Sequence, residues 1–405
     1  MTLTSVSGGV ASTPGFVAGA AIAGLRSRPL PDLAMVAVRD GPGSAAAVFT
    51  TNRFPAAPIH VAREHLEANG GRIRGVVANA GCANAGTGPA GIADARRMAA
   101  AAAGELGCRP EDVLPVSTGL IGSRLRVDRI EAALPSLQLR AGRAAGTAAA
   151  RAIMTTDTRP KEAAVRLELP DREPILVAGM AKGSGMIHPQ MATMLAFLTT
   201  DADASPDLLH GLLQGAVDST FNQVTVDRDE STNDLVVLMA SGRGDRVQLE
   251  ADEWRTAALG EAVHAVCRSL AQQIAADGEG ARRRIDVVVT GTGDDAEARR
   301  LARAVAGSNL VKAAVHGADP NWGRIAAAVG QHADTLDPAC LRISIADQVV
   351  FDGAPLAFDE RDASRALRRK VVNLGIDLQL GPGRGEAWGC DLSAEYVAIN
   401  SEYRT

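Results

Sequence analysis

Aromatic side chains are scarce in this chain: three tryptophans, two tyrosines and seven phenylalanines in 405 residues. That scarcity argues against the stacking platforms used to bind single-stranded nucleic acid. A net charge near −5 offers no basic footprint for a phosphate backbone either. The short basic runs Arg282–Arg284 and Arg368–Lys370 read as solvated faces. No apolar stretch approaches the ~18 residues that a membrane span needs. Residues Met1 to Val10 lack a basic segment followed by an apolar one, so no signal peptide is expected. The five cysteines (Cys82, Cys108, Cys267, Cys340 and Cys390) are odd in number, scattered and free of any CxxC pair. They read as reduced thiols of a cytoplasmic protein, neither a disulfide framework nor a metal site. Lysine is scarcer still. Of 42 basic residues only Lys161, Lys182, Lys312 and Lys370 are lysine. Where positive charge alone is wanted the chain uses arginine, so Lys182 is expected to do what arginine cannot: supply a compact charge whose pKa can move.

What is present alternates strands with helices, an α/β pattern in two subdomains. Strands are expected at Arg74–Asn79, Val113–Val116, Ala164–Leu169, Ile175–Ala178, Leu235–Ala240 and Ile285–Thr290, and terminal strands at Asp377–Leu380 and Gly389–Ile399. Helices are expected from Pro89 to Leu106, Ala144 to Met154, Asp207 to Asp218, Asp252 to Ala276 and Ala296 to Ala306. Another starts at Asp319-Pro320, read as an N-cap followed by proline. Ser117-Thr-Gly-Leu-Ile-Gly122 reads as a loop.

Few cofactor or nucleophile signatures occur. There is no phosphate-binding P-loop, and Gly291-Thr-Gly293 lacks the third glycine of a dinucleotide fingerprint. Ser184 sits in Gly-Ser-Gly rather than a nucleophile elbow. The seven histidines show no metal-ligand spacing; His188, in the central loop, is the one to follow. That loop runs Lys182-Gly-Ser-Gly-Met-Ile-His-Pro-Gln-Met-Ala-Thr193 and leads into the apolar run Met194–Leu198. A hydroxyl opening a buried strand can face a cavity on a rigid backbone. Threonine needs a base, and one solution is its own free α-amine, which exists only if the Ala192–Thr193 bond is cut. Such an amine titrates near pH ~7.7–8.0, so it is partly neutral at physiological pH.

The segment Lys182 to Leu195 resembles the self-cleaving site of the ornithine acetyltransferase family. Ser117-Thr-Gly-Leu-Ile-Gly122, Thr155-Thr-Asp-Thr-Arg-Pro-Lys161, Asp277-Gly-Glu-Gly-Ala281, Asp319-Pro-Asn-Trp-Gly-Arg324 and Tyr396-Val-Ala-Ile-Asn400 are similar to that family's signatures, in its order. The resemblance implies the family's self-processing, N-terminal-threonine-nucleophile fold. It also implies cleavage between Ala192 and Thr193 into chains of 192 and 213 residues, assembled as an α₂β₂ dimer of cut protomers. Thr193 becomes the nucleophile, and Thr118 and the Gly119 N–H stabilise the oxyanion. Thr155, Lys182, Thr193, Glu279, Asn400 and Thr405 contact substrate. The implied reaction carries the acetyl group of N-acetylornithine to Thr193 and then to glutamate, a ping-pong cycle of arginine biosynthesis. No metal or organic cofactor is implied; acetyl-CoA is a second donor if the enzyme is bifunctional. Lys182 either pairs with a substrate carboxylate or lowers the pKa of the Thr193 amine. Water as acceptor gives an amidohydrolase or aminopeptidase instead, and an uncut chain an inactive binding homologue. Ser231-Thr-Asn-Asp234 reads as bracing for the site, and Asn79 and Asn84 as residues that satisfy turn backbone.

Two departures from the family pattern stand out. Val226-Asp-Arg-Asp-Glu230 occupies the place of Val-Asp-Gly-Asp-Thr, so Arg228 replaces a glycine and Glu230 a threonine. Ala80 and Cys82 stand where serine and asparagine are usual. With Asn400 and Thr405 both assigned to the site, removing the last six residues is expected to abolish turnover. Full activity of the truncated enzyme in an ornithine-release assay would contradict that assignment.

Overall fold

The computed structural model describes residues 2–170, 173–188, 194–243 and 253–402. A seven-stranded mixed sheet forms its centre, in the order Thr2–Ser5, Lys161–Glu168, Ile175–Lys182, Leu195–Thr200, Leu235–Ala240, Gly43–Phe49 and Arg72–Ile73. Its middle strands are buried on both faces, which is why they read as unbroken apolar runs rather than alternating ones. Ala196, Leu198, Val236 and Leu238 point to one core; Leu195, Phe197, Leu235 and Val237 point to the other.

The first core is closed by two helices. Pro206–Ser219 contributes Leu209, Leu213 and Val217, and Glu253–Ala276 contributes Leu259, Val263, Val266, Leu270 and Ile274, both at helical spacing. The second core lies against a four-stranded sheet, Phe16–Ala21, Leu33–Val38, Gly75–Cys82 and Val113–Leu120. The outer face of that sheet packs on helices Gly88–Leu106 and Val127–Ala133 through Met35, Val77, Met98 and Ile130. Two sheets face to face between helices make a four-layered sandwich.

A further body has its own core. Its five strands run in the order Gln348–Asp352, Arg342–Ile345, Val371–Asp377, Arg284–Thr292 and Gly383–Cys390. The last strand presents Gly383, Gly385, Ala387 and Gly389 at alternate positions, all buried. A Cβ at Gly385 would overlap the backbone of Ala298 and Arg299, so this small-residue face lets helix Asp295–Ala306 lie directly on the sheet. The division by core thus falls near Arg284. The 192/193 junction lies in sequence between two neighbouring strands of the central sheet.

Four expectations are corrected. The strand expected at Asp377–Leu380 lies earlier, at Val371–Asp377, where it pairs in parallel with Arg284–Thr292. Ser117–Leu120 is strand rather than loop, because the parallel neighbour Gly75–Cys82 supplies backbone partners as far as Leu120. Gly389–Ile399 is not one strand: the ladder stops at Cys390, and Ala394–Glu402 is helix. The side chain of Asp391 breaks the run by accepting the N–H groups of Arg282 and Arg283, both at 2.8 Å. The helix expected from Asp319-Pro320 begins at Trp322, capped by Asn321, whose Oδ1 accepts from the Arg324 N–H. Asp252 lies outside the described residues; the long helix is described from Glu253.

Gly385→Val is expected to force helix and sheet apart at a cost of ~1–3 kcal/mol, the usual penalty of overpacking. A lower urea midpoint at unchanged slope measures it.

Candidate functional site

The strand Val113–Leu120 departs from regular pairing at its end. Cys82 of the neighbouring strand faces both Thr118 and Leu120, a bulge-type register shift at the end of the ladder, where Gly119 lies opposite Gly81. Gly119 has φ +128°, and a Cβ there would overlap the backbone of Gly81. Only glycine satisfies both constraints. Side-chain amides hold this corner from two directions. Ser117 Oγ donates to Asn79 Oδ1 at 2.6 Å, and Asn79 Nδ2 donates to the Cys82 carbonyl at 2.9 Å. From the second half of the chain, Asn233 Nδ2 donates to the carbonyls of Ala83 and Ser117 at 2.7 and 3.0 Å. Asn79 thus does more than satisfy the turn expected of it, and the bracing expected of Ser231–Asp234 takes a specific form: Asn79 and Asn233 hold Ser117 and the neighbouring Cys82 and Ala83 carbonyls beside Thr118.

Lys182 ends the strand Ile175–Lys182, and its Nζ donates to Thr118 Oγ1 at 3.2 Å. Burial pushes this amine below the ordinary lysine range. Asp157, Asp234 and Glu279 pull the other way, while Lys161 adds to the lowering. Asp157 is buried too, which opposes its charge, yet Lys161, Lys182 and the Gly183 N–H outweigh burial and hold its pKa at about 2.

Lys161 is the hub of what surrounds Lys182. Its Nζ, fully buried, donates to Asp157 Oδ1 and to Asp277 Oδ2, both at 2.6 Å. Asp157 also accepts the N–H groups of Thr155 at 3.0 Å and Gly183 at 2.8 Å. Asp277 accepts the N–H and the hydroxyl of Thr158. Ser184 Oγ donates to the Asp277 carbonyl at 2.6 Å, and the Glu279 N–H donates to the Ser184 carbonyl at 2.9 Å. One buried ion triad thus ties the Thr155, Lys182 and Glu279 segments together, and Ser184 is a strut. Glu279 reaches the C-terminal helix, where Asn400 Nδ2 donates to its Oε2 at 2.7 Å.

Of the residues chosen from sequence, Thr118, Gly119 and Lys182 stand together, and Thr155, Glu279 and Asn400 are linked to them through this network. Ala192, Thr193 and Thr405 lie outside the described residues. Thr193's covalent neighbour Met194 is buried, its carbonyl accepting from the Leu235 N–H at 3.1 Å. His188 is a hydrogen-bonded structural histidine: Nδ1 is 3.0 Å from Thr225 Oγ1. Burial, aided by Arg303 and Arg228, lowers its pKa to about 4, so it is neutral at pH 7. Arg228, standing where glycine was expected, has φ +70°. That left-handed conformation costs a non-glycine residue ~1–2 kcal/mol, which gives a physical reason for glycine there.

Sequence reasoning gave no role to Asp157, Lys161 or Asp277. A signal existed in the scarcity of lysine: Lys161, Lys182 and Lys312 are all buried, and only Lys370 is exposed. Among the described residues no group of three or more His, Cys, Asp or Glu side chains is arranged to hold a metal ion. No described helix is long and apolar enough to cross a membrane.

Comparison with known proteins gives a consistent result. The profile of the ArgJ family matches residues 17–405. The chain is 47% identical over 391 residues to the arginine biosynthesis bifunctional protein ArgJ of Thermus thermophilus, covering 96% of this chain and 98% of that one. It is 44% identical over 400 residues to the protein of the same name from Dehalococcoides mccartyi, covering 98% of each. A crystal structure of arginine biosynthesis bifunctional protein argJ from Bacillus halodurans superposes with a TM-score of 0.50 at 43% identity. It covers 52% of this chain and 100% of that chain.

Lys161→Met would leave two buried carboxylates without their shared cation, expected to cost ~3–5 kcal/mol in urea unfolding at pH 7. Losing Lys161 also raises the folded-state pKa of Asp157, so the variant then gains stability relative to wild type as pH falls from 7 to 5. A deficit independent of pH would show that the triad is not held by charge.

Proposed function

The chain belongs to the ArgJ family, and from that membership we propose that it works through an acetyl-Thr193 intermediate formed after its own cleavage at Ala192–Thr193. It is an acyltransferase of arginine biosynthesis that moves an acetyl group between ornithine and glutamate. The observation that carries the site assignment is a register. Lys182 pairs directly with Leu195 across the central sheet. The described residues Lys182 and Leu195, which flank the Thr193 segment in sequence, are thus neighbours, and Lys182 reaches Thr118, which supports this reading.

In this reading the Thr193 α-amine takes the proton from its own hydroxyl as Oγ attacks the acetyl carbonyl of N-acetylornithine. The carbonyl oxygen becomes an oxyanion facing the Gly119 N–H and the Thr118 hydroxyl. Lys182 strengthens this pair. An ammonium donating to Thr118 Oγ1 occupies the oxygen's lone pair and leaves the hydroxyl proton for the oxyanion. Such preorganised donors act strongly because the site excludes water. Collapse expels the ornithine nitrogen, which takes up the proton held by the amine. Glutamate's amine then attacks acetyl-Thr193 by the same path in reverse, regenerating the free threonine. Glu279, steadied by Asn400, offers a carboxylate to the cationic end of ornithine, and Thr155 and Thr405 complete the substrate contacts.

The ladder also bears on the cut form. Two strands after the junction, Leu195–Thr200 and Leu235–Ala240, lie between strands that precede it in the central sheet, so two chains meeting at 192/193 would remain one body. The solved Bacillus halodurans chain is matched over its whole length by 52% of this one. A chain from Thr193 to Thr405, 213 residues of 405, is about that share. The same reading assembles the cut protomers as α₂β₂, needs no cofactor, and adds acetyl-CoA as a second donor to glutamate. It places the enzyme in the cytoplasm, in keeping with five free thiols.

Intact mass of the purified protein beside a Thr193→Ala control tests the proposal. Two chains meeting at Ala192/Thr193 are expected in the wild type alone, with one equivalent of ornithine released from N-acetylornithine before acceptor is added. A single uncut chain in both would remove the proposed base and end this reading.

A further inference from the structure

Beside the Thr118–Gly119 bulge opens a cleft of about 290 Å³, bordered by Arg26, Ser27, Arg28, Gly81 and Thr155. It is a built feature. Buried Asp32 accepts the N–H groups of Ala23 and Leu25 at 2.6 Å and of Arg26 at 3.2 Å, which fixes the loop that carries both arginines. Arg26 Nη2 donates to the carbonyls of Ala152 and Met154, the latter immediately before Thr155. The Arg26 Cγ lies against Gly81, whose strand partner is Gly119. One wall of the cleft is therefore joined to the oxyanion corner and the other to a substrate segment. Arg28 is exposed on its rim and pairs with no carboxylate among the described residues.

From this juxtaposition we infer that the cleft receives the distal carboxylate of the acceptor, with the Arg28 guanidinium as its partner; the inference rests on the acetyl-Thr193 reading above. The two amino acids that occupy the site in turn share an α-carboxylate and differ at the far end. Ornithine ends in a cation, glutamate in an anion. Glu279 suits the first and repels the second, since like charges brought together in a desolvated site are strongly disfavoured. The described lysines nearby are committed: Lys161 to two carboxylates, Lys182 to Thr118 within the field of Asp157, Asp234 and Glu279. Arg28 is the cation left on its border, since Arg26 is held by the Ala152 and Met154 carbonyls, and a guanidinium fork matches a carboxylate with two parallel hydrogen bonds. The different ends of donor and acceptor thus meet different groups, Glu279 for the cation and Arg28 for the anion.

The test uses full-length, self-processed enzyme carrying Arg28→Ala or Arg28→Lys, with glutamate and its uncharged analogue glutamine as acceptors. Ornithine release before acceptor is added serves as the internal reference. KM for glutamate is expected to rise roughly 10–100-fold in Arg28→Ala, the usual scale for losing a hydrogen bond to a charged group. The glutamate-over-glutamine ratio then collapses, and Arg28→Lys recovers part of it. Unchanged KM for glutamate, or an equal loss for both acceptors, overturns the inference. So does a loss confined to acetyl-CoA, which would make the cleft a phosphate dock. Absence of ornithine release in the wild type would instead refute the reading on which it stands.

Discussion

The site depends on a lysine that has no access to water. Lys161 holds Asp157 and Asp277 at 2.6 Å each, and through them three segments distant in sequence converge. Desolvating three charges is expensive, and such clusters seldom add net stability over an apolar equivalent. What this one supplies is position. Each carboxylate also accepts backbone N–H groups, of Thr155, Gly183 and Thr158, so the charges set the path of the main chain where it lines the site. Lys182 is drawn into the same field, and its proximity to Thr118 follows from where Asp157 holds Gly183.

The second constraint is backbone proximity. At Gly119 the strand passes so close to Gly81 that no side chain fits, and the register shifts at the neighbouring Cys82. Asparagines from two separate stretches, Asn79 and Asn233, hold the surrounding carbonyls. The corner is thus rigid before any ligand arrives, the condition under which an oxyanion is stabilised without reorganising the protein. Charge on one side and close packing on the other leave Thr118 little freedom.

Much of the architecture was legible in the sequence. The runs Met194–Leu198 and Leu235–Ala240 are apolar on both faces and read as buried strands. The helical stripe from Leu259 to Ile274 is equally plain. Where local signals were ambiguous, position in the fold decided. Ser117–Leu120 carries loop-like residues, yet a parallel neighbour makes it strand. Asp319 has the side chain of a cap, but Asn321 performs that role. The tail from Gly389 alternates well enough for a strand, yet the Asp391 carboxylate ends the ladder and the chain turns helical.

The sequence by itself determined the family and the α/β class, and it nominated Thr118, Gly119, Lys182, Glu279 and Asn400 as candidates, because chemistry of this kind needs particular atoms and the motifs occur in the family's order. Scarcity of lysine marked Lys182 as unusual for the same reason. Only the tertiary structure decided that Lys161 is the hub, that Lys182 donates to Thr118, and that Arg26 bridges Gly81 and the Thr155 segment. Apart from the local Lys161–Asp157 pair, those facts join residues 55 to 128 positions apart. Such contacts arise from strand order, and no local pattern of residue types encodes which strands become neighbours.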